Sequence, residues 1–464
     1  MKSYEELLEC GESEKARSEF IESAVKEFEG TEMYQNALIA DRYYRGHNAT
    51  IEDFVKWFYT VTGRKERDIY SADYRVKTQY FRRKVIQHAN YLAGNGVQLS
   101  DPEQKKALGK NIDHKILQAI KRSMVEGRSF GFWNADHLEV FGIICNENQA
   151  GFCPIYSAKT GQLMAGIRFT YRKVYDKTIV LYSLFEPEGI TEFCKDKEGN
   201  VNQTNRTAYK TKTISTIAEG IISIEEQNYN GVLPIVPLYA SDTYESDLVG
   251  IREAIDCYDM VKNGLANTID DASEIYWIVK NAGGMNDKDL AMFLSRIKHT
   301  HAAQVDADAG EEAEPHTIDV PHDARSALLE LLRTDLYDDM HLLDRRSLSA
   351  AQKTNQELDM AYQPMDDYIN DLEFFVYDFL DRIFALAGLP EDTEATFTRN
   401  KISNKPEQTN MVLSSADFIS PECIISHLPF LTPEEQEAQV KWYLSEQASR
   451  FLADEEGPEE GEEE

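Results

Sequence analysis

Apolar and polar positions change rhythm several times along this chain. From Tyr4 to about Val61 the spacing is helical, with Phe20, Ala24, Val25 and Phe28 on one face and acids opposite. A mixed stretch follows, and Ile112–Val125 predicts an amphipathic helix. From Phe130 to about Tyr239 the texture is that of strands. Ile167, Phe169 and Tyr171 alternate, Ile179–Leu184 is an apolar run, and Lys197-Glu198-Gly199-Asn200 is a hairpin-type turn. Pro234 and Pro237 close this part.

The remainder is mostly helical. Leu248, Ile251, Ile255, Tyr258, Val261, Leu265 and Ile269 recur at three- and four-residue steps, so Asp247–Asp271 predicts one helix of roughly 37 Å. A short segment, Ile275–Val320, carries Trp277, Gly283-Gly284 and an acidic loop at Asp306–Glu314. A second helix holds Leu328, Leu332, Leu336, Met340 and Leu343. A third holds Met365, Ile369, Leu372, Val376, Phe379 and Ile383 and stops at Gly388, with Pro390 just beyond. Thr432-Pro433-Glu434-Glu435 opens a last helix with an N-cap, a proline at the first position and a capping-box glutamate. Asp454–Glu464 is an acidic, solvated tail. The succession predicts an α+β fold.

Composition narrows the function. A net charge of −32 over 464 residues disfavours tight nucleic-acid binding, which relies on neutralising phosphates; it suits a surface past which DNA must slide and equally an ordinary soluble enzyme, and charge alone does not choose between them. No run reaches the ~18–20 apolar residues that cross a bilayer, and Glu5, Glu6, Glu9 and Glu12 are unlike a signal peptide, so a soluble protein that stays in the cytosol where it is made is expected. Cys10, Cys145, Cys153, Cys194, Cys257 and Cys423 are scattered, as reduced thiols are, with no zinc spacing.

The candidate chemical motifs are thin. Gly127-Arg128-Ser129-Phe130-Gly131 matches the hydrolase string GxSxG, yet that elbow needs a strand before the serine and a helix after it, the reverse of the order here. Asp306-Ala307-Asp308-Ala309-Gly310 lacks the ligand and glycine that a calcium loop needs at its fifth and sixth positions. His299 and His301, with His316 and His322, read as surface residues, and no cofactor or metal is expected. Arg64, Lys65, Arg67, Arg75, Lys77 and Arg82-Arg83-Lys84 interleave with Tyr70, Tyr74, Tyr80 and Phe81. That mixture suits single-strand binding, but a helix face that neutralises the acidic body or a neighbouring subunit explains it better. The phosphate-binding string GxxxxGK[ST] is absent. One window stands out: Arg345–Gln356 (RRSLSAAQKTNQ) has no acid, whereas Asp335, Asp338, Asp339 and Asp344 precede it and Glu357, Asp359, Asp366 and Asp367 follow.

Taken in order, several stretches resemble the portal proteins of long-tailed phages, especially those of Gram-positive hosts. They are Leu92–Val97, Gly127–Trp133, Leu233–Asp259, Asp270–Trp277, Asp366–Gly388, Phe397-Thr398-Arg399-Asn400 and the segment from Leu428. The resemblance implies a ring of about twelve subunits with heterologous contacts, found in the virion at the portal vertex of the capsid, around a channel for double-stranded DNA. It implies a wing over 1–240, stem helices over 247–271 and 324–344, and a clip over 275–320. A tunnel loop would occupy 345–363, the long wing helix 364–388, a returning wing strand 396–404, a crown 405–452 and the tail 453–464. The implied channel residues are Arg345, Arg346, Ser347, Ser349, Gln352, Lys353, Thr354, Asn355 and Gln356. Many relatives carry Ser-Gly in that loop where this chain has Thr354-Asn355-Gln356. Trp277, Met285, Met292 and Phe293 would contact partners at the clip. The implied partners are the chain itself, DNA, terminase, a head-completion or adaptor protein, and the major capsid and scaffold proteins, with no membrane and no enzymatic activity. The rival readings are an acidic helical adaptor or scaffold without a channel and a serine hydrolase built on Ser129.

Overall fold

The computed structural model describes residues 2–59, 63–68, 71–147, 149–174, 177–196, 199–213, 223–226, 229, 231–272, 276–280, 312–316, 322–344, 346, 354–401, 405–415, 418–431, 435–436 and 438–446. Helices α1 (Tyr4–Glu9), α2 (Glu14–Glu29), α3 (Glu32–Tyr44) and α4 (Ala49–Glu52) open the chain, capped by the side chains of Ser3, Ser13, Thr31 and Asn48. The helical pattern expected to Val61 stops at Glu52. The aromatic run Trp57-Phe58-Tyr59 forms strand β1, which pairs antiparallel with β2 (Lys65–Arg67), because aromatic residues next to β-branched ones suit a strand. Helix α5 (Tyr80–Ala93), β3 (Val97–Leu99), α6 (Pro102–Ala107) and α7 (Ile112–Glu126) follow.

Next come β4 (Arg128–Asn134), β5 (His137–Gly142), β6 (Gly151–Tyr156), β7 (Leu163–Val174), β8 (Lys177–Glu186), β9 (Gly189–Lys195) and β10 (Val201–Thr207). The small hairpin of β11 (Lys210–Thr213) and β12 (Ser223–Glu226) and then β13 (Ile235–Tyr239) complete this part. The eight-stranded sheet runs β10-β9-β8-β7-β6-β5-β4-β13, antiparallel except where Gly142 meets Gly151 between β5 and β6. The turn expected at Lys197–Asn200 closes β9 onto β10, with Gly199 at φ 94° and the Asp196 amide donating to the Asn200 carbonyl at 2.9 Å. Lys197 and Glu198 lie outside the described residues.

The two-residue period of the strands gives the sheet two cores. Phe130 and Phe132 of β4 join Phe141, Phe152, Phe169 and Phe185 under α1 and α2, where Leu7, Ile21, Val25 and Phe28 are buried. Trp133, Leu138, Val140, Val236 and Leu238 face α5 and α7 on the opposite side.

The last third differs from expectation at its boundaries. The first long helix, α8 (Arg252–Ala272), begins at Arg252 rather than Asp247. Gly250 takes a left-handed φ of 85°, and the Asp247 amide is turned away to the Met124 carbonyl at 3.0 Å. Strands β14 (Tyr276–Lys280) and β15 (Glu312–His316) pair in the expected clip segment. The next helix, α9 (His322–Asp339), ends five residues short of 344, where His341 takes a φ of 52°. The long helix, α10 (Asn355–Ala387), begins nine residues before 364, so the second half of the segment read as a loop over 345–363 is helical. Thr354 and Glu357 form a capping box there, and the polar first turn Asn355-Gln356-Glu357 hid that helix start.

Helix α10 is 33 residues long and buries Leu358, Tyr362, Met365, Ile369, Leu372, Val376, Phe379, Leu380, Ile383 and Phe384. Each buried side chain of this size contributes about 1.5–3 kcal/mol before conformational entropy is charged against it. Gly131 lets the helix approach the sheet, since a Cβ there would stand 2.6 Å from the ring of Phe379. Gly388 in the left-handed conformation ends the helix. The returning strand is shorter than 396–404: β16 (Ala395–Phe397) pairs with β3. Helices α11 (Lys405–Ser414) and α12 (Pro421–Ser426) and a helical stretch at 438–446 close the chain. Thr432, Pro433 and Glu434 of the expected cap, and the acidic tail, lie outside the described residues.

Candidate functional site

The acid-free window lies between α9 and α10 and ends in the first turn of α10. Arg345, Ser347, Ser349, Gln352 and Lys353 lie outside the described residues, whereas Arg346, Thr354, Asn355 and Gln356 are placed. Its two ends are held by acids. The Arg346 amide donates to Asp344 Oδ1 at 3.0 Å, and Asp344 is also paired with Arg333 at 2.7 Å. Burial opposes ionisation of the Asp344 carboxyl, yet the hydrogen bonds from Arg333 and the Arg346 amide hold it below the usual carboxylate range. At the far end Thr354 is the N-cap of α10, and the Asn355 amide donates to Glu407 of α11 at 2.8 Å. Thr354 and Gln356 are exposed. Of the expected clip contacts, Trp277 stands opposite Pro315 in the β14–β15 pair, and Met285, Met292 and Phe293 lie outside the described residues.

A polar ladder joins α8 to the rest of the chain. Asp259, Asn263 and Asn267 stand four residues apart on one buried face of the helix. The extended segment 74–78 runs along them. Tyr74 N donates to Asn267 Oδ1 at 2.7 Å, Val76 N to Asn263 Oδ1 at 2.6 Å and Thr78 N to Asp259 Oδ1 at 3.0 Å, while Asn263 Nδ2 returns a bond to the Val76 carbonyl at 2.7 Å. Alternate amides of an extended chain repeat about every 6.8 Å and four helical residues rise about 6 Å, so the two periods match over three rungs. One turn earlier, Tyr43, Asn48 and Thr50 donate to Asp256 at 2.5, 2.9 and 2.7 Å. Burial raises the Asp259 carboxyl above its ordinary range in spite of these donors. The four-residue spacing was visible in the sequence as the polar face of a helix; the segment that satisfies it was not.

The segment leading into α8 is joined to α5 and α10 by a buried ion pair. Lys84 Nζ lies 3.6 Å from Asp247 Oδ2, with both side chains almost fully buried. The ammonium sits 4.4 Å from the ring centroid of Tyr368, whose hydroxyl donates to the same aspartate. His88 and His341 pack against that ring. Burial, with the nearby Lys84 charge, lowers His88 to about 3, and burial lowers His341 as well.

The Phe397–Asn400 motif also acquires a physical role. Arg399 binds Asp366 at 2.7 Å and Glu373 at 2.6 Å, two turns apart on α10. Lys401 and the Tyr91 hydroxyl complete the shell of Asp366 at 2.7 and 2.6 Å.

The basic and aromatic residues of 64–84 are largely engaged within the chain. Arg75 pairs with Asp73, Lys77 with Glu52 and Lys84 with Asp247, and Arg83 donates to the Tyr337 hydroxyl at 2.5 Å. Ser129 lies in a helix-to-strand turn after Gly127 at φ 80°. It is fully buried, with its hydroxyl donating to the Ala119 carbonyl at 2.9 Å, so it presents no nucleophile at the surface. His316 lies on β15 and His322 begins α9, while His299, His301 and Asp306–Gly310 lie outside the described residues. No helix among the described residues is long and apolar enough to cross a membrane.

The residues gathered here join long helices to a sheet and to one another, as in a structural protein. The family model "Phage portal protein, SPP1 Gp6-like" matches residues 25–450, and the chain belongs to that family. It is 24% identical over 453 residues to a portal protein of Clostridium phage phiCD119, covering 90% of this chain and 95% of that one. It is 24% identical over 245 residues to the portal protein of Bacillus phage SPP1, covering 49% of this chain and 48% of the other. Both relatives come from phages of Gram-positive hosts, as the sequence motifs implied. As a phage portal protein, the chain is a structural component of the virion capsid.

Proposed function

We propose that this protein forms a ring of about twelve subunits, joined by heterologous contacts that close on themselves. The ring sits at one capsid vertex as the channel for DNA packaging, retention and ejection. The match to the portal family over 25–450 carries this reading. Residues 1–240 with 364–388 and 396–404 form the wing, α8 and α9 the stem, the β14–β15 segment the clip, 345–363 the tunnel segment, and 405–452 the crown. The clip meets the terminase and later the head-completion protein, and Trp277, Met285, Met292 and Phe293 supply contacts there. The capsid and scaffold proteins surround the ring as it assembles in the host cytoplasm.

Within the bore, Arg345, Arg346, Ser347, Ser349, Gln352, Lys353, Thr354, Asn355 and Gln356 face the DNA. Acidic walls repel the duplex, and one neutral-to-basic window per subunit makes weak, sequence-blind backbone contact. The test is Lys353→Glu, which adds one acid per subunit at the bore. Negative-stain images of the variant are expected to show unchanged rings, while particles carry shorter or poorly retained DNA. A full-length, stably held genome in the variant overturns the assignment of this window. A purified chain that stays monomeric at high concentration and high salt overturns the ring itself.

A further inference from the structure

Two apolar patches of opposite charge flank α8. The first is on the extended arm before α5, where Phe54, Trp57 and Tyr74 are each half exposed, as is much of Val76. Lys65 caps the Trp57 ring at 4.7 Å, and β2 is exposed along its length. Residues 64–77 carry five basic and three acidic side chains, net +2 in a chain of −32. The second patch is on α9, where Ala324, Leu328, Leu331, Asp335 and Asp338 form one exposed stripe and Leu331 is 58% exposed. Residues 322–339 carry two basic and five acidic side chains, net −3. Apolar side chains of this size left in water on two rimmed faces mark association surfaces.

Their placement decides the kind of association. The arm lies on the Asp259–Asn263–Asn267 face of α8, whereas α9 lies on the face of Thr268, whose hydroxyl receives Arg325 at 2.7 Å. Five residues separate Asn263 from Thr268, which turns their directions apart by about 140° at 3.6 residues per turn. The patches therefore sit on opposite flanks of one helix. Each would repel a copy of itself and attract the other, so the self-complementary contact is head to tail rather than two-fold.

We infer that the basic arm, through Trp57, Lys65, Arg67 and Tyr74, docks on the acidic stripe of α9 in the neighbouring subunit. This contact rests on the ring proposed above and names the surfaces that close it.

The test uses the full chain. Arg67→Glu and Asp335→Arg are each expected to raise the concentration for half-assembly at low salt by about tenfold, and the charge-swapped double variant to return within about twofold of the parent. Circular dichroism checks that each variant folds. Independently, Glu66→Cys with Asp335→Cys in one chain is expected to give an oxidation-dependent ladder of covalent oligomers that the parent, with its own six cysteines, does not give. If parent rings form but the swap has no effect and no ladder appears, this interface is wrong and the ring stands. If the parent forms no rings, the ring reading fails and takes the interface with it. If each single variant weakens assembly and the double variant is worse still, the two patches do not meet each other.

Discussion

Replacing Lys84 with methionine isolates what the buried ion pair does for the joint between α5, α8 and α10. Methionine keeps most of the aliphatic stem, so packing against Tyr368 is largely conserved and the ammonium alone is lost. At the observed 3.6 Å the attraction between unit charges is about 4–5 kcal/mol at an effective dielectric constant near 20. The intact pair already carries the desolvation of both ions, so its net contribution is far smaller than this. Removing one partner leaves Asp247 buried with the Tyr368 hydroxyl as its remaining side-chain donor among the described residues. Lys84→Met should therefore destabilise the chain by about 3 kcal/mol, at the lower end of the range for broken buried pairs. Asp247→Asn should cost a similar amount, and the double variant should recover to within about 1 kcal/mol of the parent. Urea unfolding followed by tryptophan fluorescence, at one protein concentration and with the oligomeric state checked, measures all four corners of the cycle. If Lys84→Met lies within about 0.5 kcal/mol of the parent, as an ordinary surface substitution does, or if the two single effects simply add, the pair is not coupled as argued.

Two further outcomes follow from the same geometry. Arg399→Ala should destabilise by about 2 kcal/mol, the lower part of the range for charged hydrogen bonds, because Asp366 keeps Lys401 and Tyr91 while Glu373 loses its arginine. Hydrogen exchange should then speed up in 395–401 before it does in the β4–β10 sheet. Acid should act through His88, whose folded-state value of about 3 lies below the unfolded value near 6.5. The unfolded chain then binds a proton that the folded chain refuses, so stability is full above pH 6.5 and falls by about 1.4 kcal/mol per pH unit below it. Between pH 7.5 and 5.0 the loss through His88 is about 2 kcal/mol, and His88→Phe should remove that part of the slope in a pH series of unfolding curves. An unchanged slope in His88→Phe refutes the assignment.

The sequence by itself determined the order of the elements and the family. Helical spacing is a property of one face of one segment, so Ile112–Val125, the α8 residues and the heptad-like series Met365–Ile383 were legible without any partner. The reversed context of Ser129 was legible for the same reason, since a helix before and a strand after are local facts. The tertiary structure decided the places where a polar side chain serves a distant segment. Asp259, Asn263 and Asn267 look like an ordinary solvated face until the segment 74–78 lies across them. Lys84 belongs to a run of three basic residues in the sequence, yet only Lys84 is buried, because Asp247 and Tyr368 close over it from segments more than 160 and 280 positions away. The early start of α10 was missed although Leu358 and Tyr362 carry the buried stripe of Met365 and Ile369 back into it, because its first turn is polar and is fixed by the cap at Thr354 and a contact with Glu407. Periodicity records which face is buried, and polar partners across long sequence separations leave no period to read.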